Sequence, residues 1–153
     1  MRDQKTLLIE QLDRKLQPFQ ASEKVIIPDN GWINTIRTTI NMTLEQLGKK
    51  LNMTKQGVKR IEESETAGTI TIKSLKSVGR ALEMKLVYGF VPVDGSVDSL
   101  LERKSRILAE KIISRTNHTM MLEDQAIEKE NLNAAIEELS KELKSELKKS
   151  IWD

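Results

Sequence analysis

Between Thr43 and Glu62 the sequence TLEQLGKKLNMTKQGVKRIE gives one instruction twice: a threonine, then apolar residues at helical spacing. Thr43 precedes Leu44, Leu47 and Leu51, and Thr54 precedes Val58 and Ile61. A threonine hydroxyl at an N-cap accepts a hydrogen bond from an amide two or three residues on, which otherwise has no partner at a helix start. The two threonines therefore predict two helix beginnings so close together that the first helix has about two turns and the chain reverses at Asn52-Met53. Helices this short are not stable alone. They have to bury their apolar stripes in a bundle that the neighbouring sequence supplies.

That neighbouring sequence is mostly helical in period. Ile33, Ile36 and Ile40 follow Trp32 at three- and four-residue intervals, and Thr71 caps a further helix whose inner face is Leu75, Val78 and Leu82, with Glu65 to Gly68 read as the intervening loop. Upstream, Leu7, Leu8, Leu12, Leu16 and Phe19 predict an N-terminal helix that ends at Pro18. A polar connection from Ala21 to Asn30 follows, holding the short apolar run Val25-Ile26-Ile27-Pro28. Downstream, Lys85 to Pro92 is rich in strand formers and closed by Pro92 and Asp94-Gly95, which predicts one strand and a turn. Leu100, Leu101, Ile107, Leu108 and Ile112 then mark a helix from Val97 to Thr116, broken near Asn117 and His118. Leu132, Ala135, Ile136, Leu139, Leu143 and Leu147 mark a last helix from about Asn131 to Ile151.

The expected fold is mainly α: a four- to five-helix bundle at 31–84, an N-terminal helix and linker at 1–30, a strand and turn at 85–96, and a C-terminal helical extension at 97–153. With 153 residues, 38% apolar and 31% charged, the chain can bury a core without a staple. It has no cysteine, which excludes disulfides and thiolate metal sites. Its one histidine, His118, gives a multi-histidine metal site or a proton relay almost nothing to work with, and reads as a turn or helix-end residue. No enzyme and no cofactor are expected. No stretch approaches the ~20 apolar residues of a membrane span, so the default compartment is the cytoplasm.

The net charge of +2 hides an uneven distribution. Thr43 to Val93 holds nine Lys/Arg against five Asp/Glu, net +4, while Val97 to Asp153 holds ten against twelve, net −2. A basic middle points weakly to a polyanion, and an acidic C-terminal third does not.

Two short capped helices joined by a tight turn inside a bundle follow the helix-turn-helix plan, in which the second helix enters the DNA major groove. The segment from Ile33 to Leu82 resembles the Cro and phage-repressor class, the xenobiotic-response-element-like family. Leu47, Leu51, Val58 and Ile61 stand at that family's core positions, Gly48 at its small helix-packing position, and Leu75 and Leu82 at its fourth helix. The resemblance also implies a structural ion pair between Arg37 and Glu62. The whole chain is similar to the family called mobile mystery protein A, through LLIEQLDRKL, GWI, GTITIKSL, MKLVYGFVP, HTMMLEDQ and the closing WD. That resemblance implies a neighbouring gene for mobile mystery protein B, which contains a Fic domain, and hence a toxin and antitoxin-like pair with a DNA-binding member.

On the second helix Lys55, Gln56, Lys59 and Arg60 fall at i, i+1, i+4 and i+5, opposite Val58 and Ile61. Glutamine matches adenine N6 and N7, and arginine or lysine donates to guanine O6 and N7, so these four are the candidates for base readout. No Lys or Arg occurs between Ile61 and Ile72, where relatives often place phosphate-binding residues. Phosphate contacts are therefore expected from Lys49, Lys73 and Lys76 and from the hydroxyls of Thr43 and Thr54. The functional expectation is a sequence-specific repressor of its own operon. The alternative is an antitoxin-like protein that inhibits the Fic partner by contact, for which Thr119 to Glu123 followed by Asp124 matches only part of the inhibitory pattern. A lone strand cannot satisfy its own backbone, so a homodimer built on Lys85 to Pro92 is also expected, with pairing to Val25–Pro28 as the monomeric alternative.

Overall fold

Four helices between Trp32 and Ala81 each begin where a polar group meets the unpaired amides of a first turn. The computed structural model describes residues 3–122 and 128–153. Among them lie α1 (Gln4–Leu16), α2 (Trp32–Thr39), α3 (Leu44–Leu51), α4 (Lys55–Ala67), α5 (Ile72–Ala81), α6 (Val97–Leu122) and α7 (Lys129–Glu146), with 3-10 helices over Gln17–Lys24 and Lys149–Trp152. The protein is mainly helical. Thr43 caps α3 in a reciprocal box with Gln46: the Gln46 amide donates to Thr43 Oγ1 at 3.1 Å, and the Thr43 amide donates to Gln46 Oε1 at 2.8 Å. Thr54 accepts from the Gly57 amide, and Thr71 from the Ser74 amide, each at 3.1 Å. For α2 the cap comes from far along the chain. Glu65 accepts from the Trp32 and Ile33 amides at 2.8 and 2.9 Å.

The chain divides into two compact units. The first, Lys24–Tyr88, holds α2 to α5 around Ile33, Leu47, Val58, Val78 and Leu82, with Ile36, Met42, Leu44, Leu51, Ile61 and Leu75 packed on that core. Its tightest point is the reversal between α3 and α4. Asn52 takes a left-handed conformation at φ 54°, and the Met53 amide donates to the Gly48 carbonyl at 2.9 Å. A Cβ on Gly48 would stand 2.6 Å from the Met53 carbonyl oxygen, which is backbone and cannot swing aside. Alanine gains ~1 kcal/mol of helix propensity over glycine, but overpacking here costs more. We expect Gly48→Ala to destabilise this unit by about 1 to 3 kcal/mol net, read from the urea midpoint.

The second unit comprises residues 3–23, 89–122 and 128–153. Lys144, near the end of α7, meets Asp98 at 2.9 Å and Glu102 at 3.0 Å in the opening turns of α6, so the two helices run antiparallel. Their core is Leu101, Ala109, Ile136, Leu143 and Ile151, with Ile9 of α1 packed against it. Asp13 of α1 caps α6, accepting from the Val97 amide at 2.6 Å and the Asp98 amide at 3.2 Å. Leu101, Ser105 and Ala109 form one fully buried stripe of α6, yet Ser105 Oγ has no hydrogen-bond partner among the described residues. A buried hydroxyl without a partner destabilises. Ser105→Ala should therefore raise stability by about 1 kcal/mol, seen as a later thermal transition for this unit.

Asp94 and Arg103 form a two-pronged pair at 2.8 and 3.0 Å. The hydrogen bonds from Arg103 hold the Asp94 carboxyl below its ordinary value. A depressed folded value means the pair's contribution is present above the unfolded carboxylate pKa and is lost as pH falls through the folded one. Arg103→Gln should flatten the decline of melting temperature on acidification in that window.

Several expectations are corrected. Residues 84–92 form no strand, and none exists among the described residues, because this segment finds no ladder partner among them; the turn is present, with the Gly95 amide on the Pro92 carbonyl at 3.0 Å. The stretch Glu65 to Ala67 is the last turn of α4 rather than a loop, and the helix stops at Gly68, at φ 77°. α6 continues through Asn117 and His118, since neither residue removes an amide as proline would and the Thr116 and Thr119 hydroxyls bond back to the Ile112 and Arg115 carbonyls. The last α-helix ends at Glu146, before Leu147 at φ 52°, not at Ile151. The N-terminal α-helix does end beside Pro18, at Leu16, and a 3-10 helix then runs from Gln17 to Lys24 into the expected connection. Among the described residues no helix is long and apolar enough to cross a membrane.

Candidate nucleic-acid interface

The buried side of α4 is fixed first. Val58 is fully buried, and Glu62, one turn further on, is 7% exposed. Arg37 of α2 grips Glu62 in a two-pronged pair, Nε to Oε1 at 2.5 Å and Nη2 to Oε2 at 3.2 Å. Two further bonds complete the cluster: Arg37 Nη1 donates to the Met42 carbonyl at 2.9 Å, and Asn34 Nδ2 to Glu62 Oε2 at 3.0 Å. Three of these bonds converge on Glu62, so the rotation of α4 about its axis is set. The resemblance named the Arg37 and Glu62 positions. Asn34 and Glu65 were not anticipated, although Asn34 stands one turn before Arg37 on the same helix and was open to an i, i+3 reading.

With that face inward, Lys55, Gln56, Lys59 and Arg60 are all exposed. Among the described residues none of the four side chains takes part in an ion pair or a hydrogen bond. In the second unit, by contrast, Arg103, Arg106, Lys144 and Lys148 each meet a carboxylate at 3.2 Å or less. Lys55, Lys59 and Arg60 thus gather three positive charges on the exposed side of α4. Lys49, Thr54 and Lys55 line one shallow pocket of about 430 Å³ together with Glu45 and Met53. An anion seated there would meet two ammonium groups and one hydroxyl, with Glu45 the opposing charge.

The remaining phosphate candidates lie elsewhere in the unit. Thr43 and Thr54 already accept from helix amides, which leaves each hydroxyl proton to donate outward. Lys73 is exposed on the first turn of α5. Lys76 is partly engaged, its ammonium 5.8 Å from the centre of the Tyr88 ring. Of the partial Fic-inhibitory match, Thr119 lies on α6 with its hydroxyl turned back to the helix, while Glu123 and Asp124 lie outside the described residues. Comparison of the chain with protein-family models, with curated proteins and with solved structures returned no match.

Proposed function

We propose that the chain is a sequence-specific double-stranded DNA-binding regulator, with α3 and α4 as a helix-turn-helix and α4 as the helix that reads bases. The observation that carries this reading is the two-sidedness of α4. One side is locked by Val58 and the Arg37–Glu62 pair, and the other offers four polar, uncommitted side chains suited to base edges. Around it, Lys49, Lys73 and the threonine hydroxyls supply groups for phosphate contact, which positions a reading helix without selecting sequence. The resemblance to mobile mystery protein A adds the target: the chain's own operon, with a Fic-domain protein as its neighbour and repression as the mode. A gel-shift titration on DNA upstream of its own gene tests the reading. A selective shift that resists random competitor is the expected result, and its absence at moderate salt overturns the proposal.

A further inference from the structure

α6 and α7 form a hairpin with two faces, and α1 covers only one of them. α1 meets the hairpin at its base, through Lys5 on the Glu146 carbonyl at 2.9 Å and Asp13 on the Val97 and Asp98 amides. On that side a cavity of about 680 Å³ is lined by Thr6 and Ile9 of α1, Glu102 and Arg106 of α6, and Glu137 and Lys141 of α7. Its charges are mixed and largely paired, since Lys144 meets Asp98 and Glu102, and Arg106 meets Glu110. The helical period puts a different set on the far face. Lys104, Lys111 and Arg115, seven and four residues apart, form one stripe of α6 about half a turn round from Glu102 and Arg106. Leu108 and Ile107, the latter 51% exposed, flank it. On α7 the corresponding stripe is Asn131, Ala135, Glu138 and Glu142, with Glu128 at the N-cap. Charge is therefore segregated, three cations on one helix and three carboxylates on the next. Among the described residues none of these six side chains takes part in an ion pair.

We infer that this far face is the self-association surface of the protein, occupied by the same face of a second copy. A polyanion fitted to the α6 stripe would meet the carboxylates of α7 beside it, and an acidic helix would satisfy one stripe alone. A second copy rotated about a two-fold axis parallel to the helices satisfies both. It lays its α7 on α6 and its α6 on α7, and every neighbouring pair in the resulting four-helix bundle runs antiparallel. The other two-fold arrangement, with the axis across the helices, stacks α6 on α6 and sets like charges together.

Symmetry also fixes the register, because rotation about an axis parallel to a helix cannot slide it. Lys144 lies level with Asp98 and Glu102, and each residue forward on α6 is one residue back on α7. Lys104 is therefore level with Ser140, between Glu138 and Glu142 of the second copy, and Arg115 is level with Lys129, beside Glu128. Leu108 falls level with Ile136, against Ala135 and Leu139. Obligate interfaces are more hydrophobic than this, so association in the micromolar range is expected rather than a permanent dimer.

The inference does not rest on DNA binding, and it is tested on the free, intact chain. Sedimentation across the micromolar range should show a monomer–dimer equilibrium that weakens as salt is raised. Lys104→Glu places a carboxylate between Glu138 and Glu142 of the second copy. The double change Glu138→Lys with Glu142→Lys places two ammonium groups against Lys104. Each variant should weaken its own homodimer about tenfold or more, through like charges set together. Mixing the two should give a heterodimer of about the parent strength, because one seam then carries the exchanged charges in complementary order and the other is unchanged. Misfolding of either variant cannot produce that rescue. A monomer at every concentration, either variant pairing with itself as tightly as the parent, or a mixture no tighter than its components each overturns the proposal.

Discussion

Replacing Glu62 with alanine should destabilise the unit Lys24–Tyr88 by about 3 to 5 kcal/mol, the cost of leaving a buried charge without its partner. The side chains of Arg37 and Glu62 are 10 and 8% exposed, so solvent screening does little to soften the loss. Arg37 would keep only its bond to the Met42 carbonyl, and Asn34 would lose its acceptor as well. Glu62→Gln keeps the shape and one acceptor and should cost less, about 1.5 to 3 kcal/mol. The paired change Arg37→Met with Glu62→Leu removes both charges together and should fall near neutral, because apolar replacement of a whole buried pair often does. Trp32 lies in this unit and Trp152 in the other, so fluorescence-detected denaturation in a Trp152→Phe background reports on the relevant unit alone. If the paired variant loses as much stability as Glu62→Ala, the loss does not come from a stranded buried charge and the orientation of α4 needs another explanation.

The helices around this pair were legible because their signals are local. Thr43, Thr54 and Thr71 each sit directly before an apolar period, and a side chain that caps its own helix leaves its mark within three residues. The carboxylate caps left no such mark. Glu65 reaches Trp32 and Asp13 reaches Val97 across long stretches of sequence, and only the tertiary fold brings them together. Glu65 also shows why the loop expectation failed, since its capping role keeps α4 helical for the extra turn that carries it. The strand expectation failed for a related reason. Strand formers in Lys85 to Pro92 are a property of the segment, but a strand is a property of a pair, and the described residues supply no second member. At the interface, periodicity alone separated Lys55, Gln56, Lys59 and Arg60 from Val58, whereas their freedom from ion pairs became visible only once every neighbour was placed.

That freedom makes the proposed reading face testable against its own surroundings. Gln56→Ala and Arg60→Ala each remove a group that matches a base edge, so each should cost about 1 to 3 kcal/mol on the cognate operator and blur selectivity at one position. Together they should cost up to about 6 kcal/mol if the two positions act independently, which brings operator binding close to the level of random DNA. Lys73→Ala should act differently. An ammonium placed for phosphate contact contributes equally to every sequence, so its loss should weaken operator and random DNA alike and reduce the salt slope by about one. Lys76, already held over Tyr88, should reduce that slope by less than Lys73. If the protein binds as a symmetric pair, the operator is an inverted repeat with half-site centres roughly 10 bp apart or a multiple of that, since the major groove recurs on one face once per turn. Titrations of all four variants on both DNAs at several salt concentrations separate the two signatures. Should Gln56→Ala and Arg60→Ala lower affinity for operator and random DNA by the same factor, with the salt slope reduced, these residues touch phosphates and another part of the unit reads the bases.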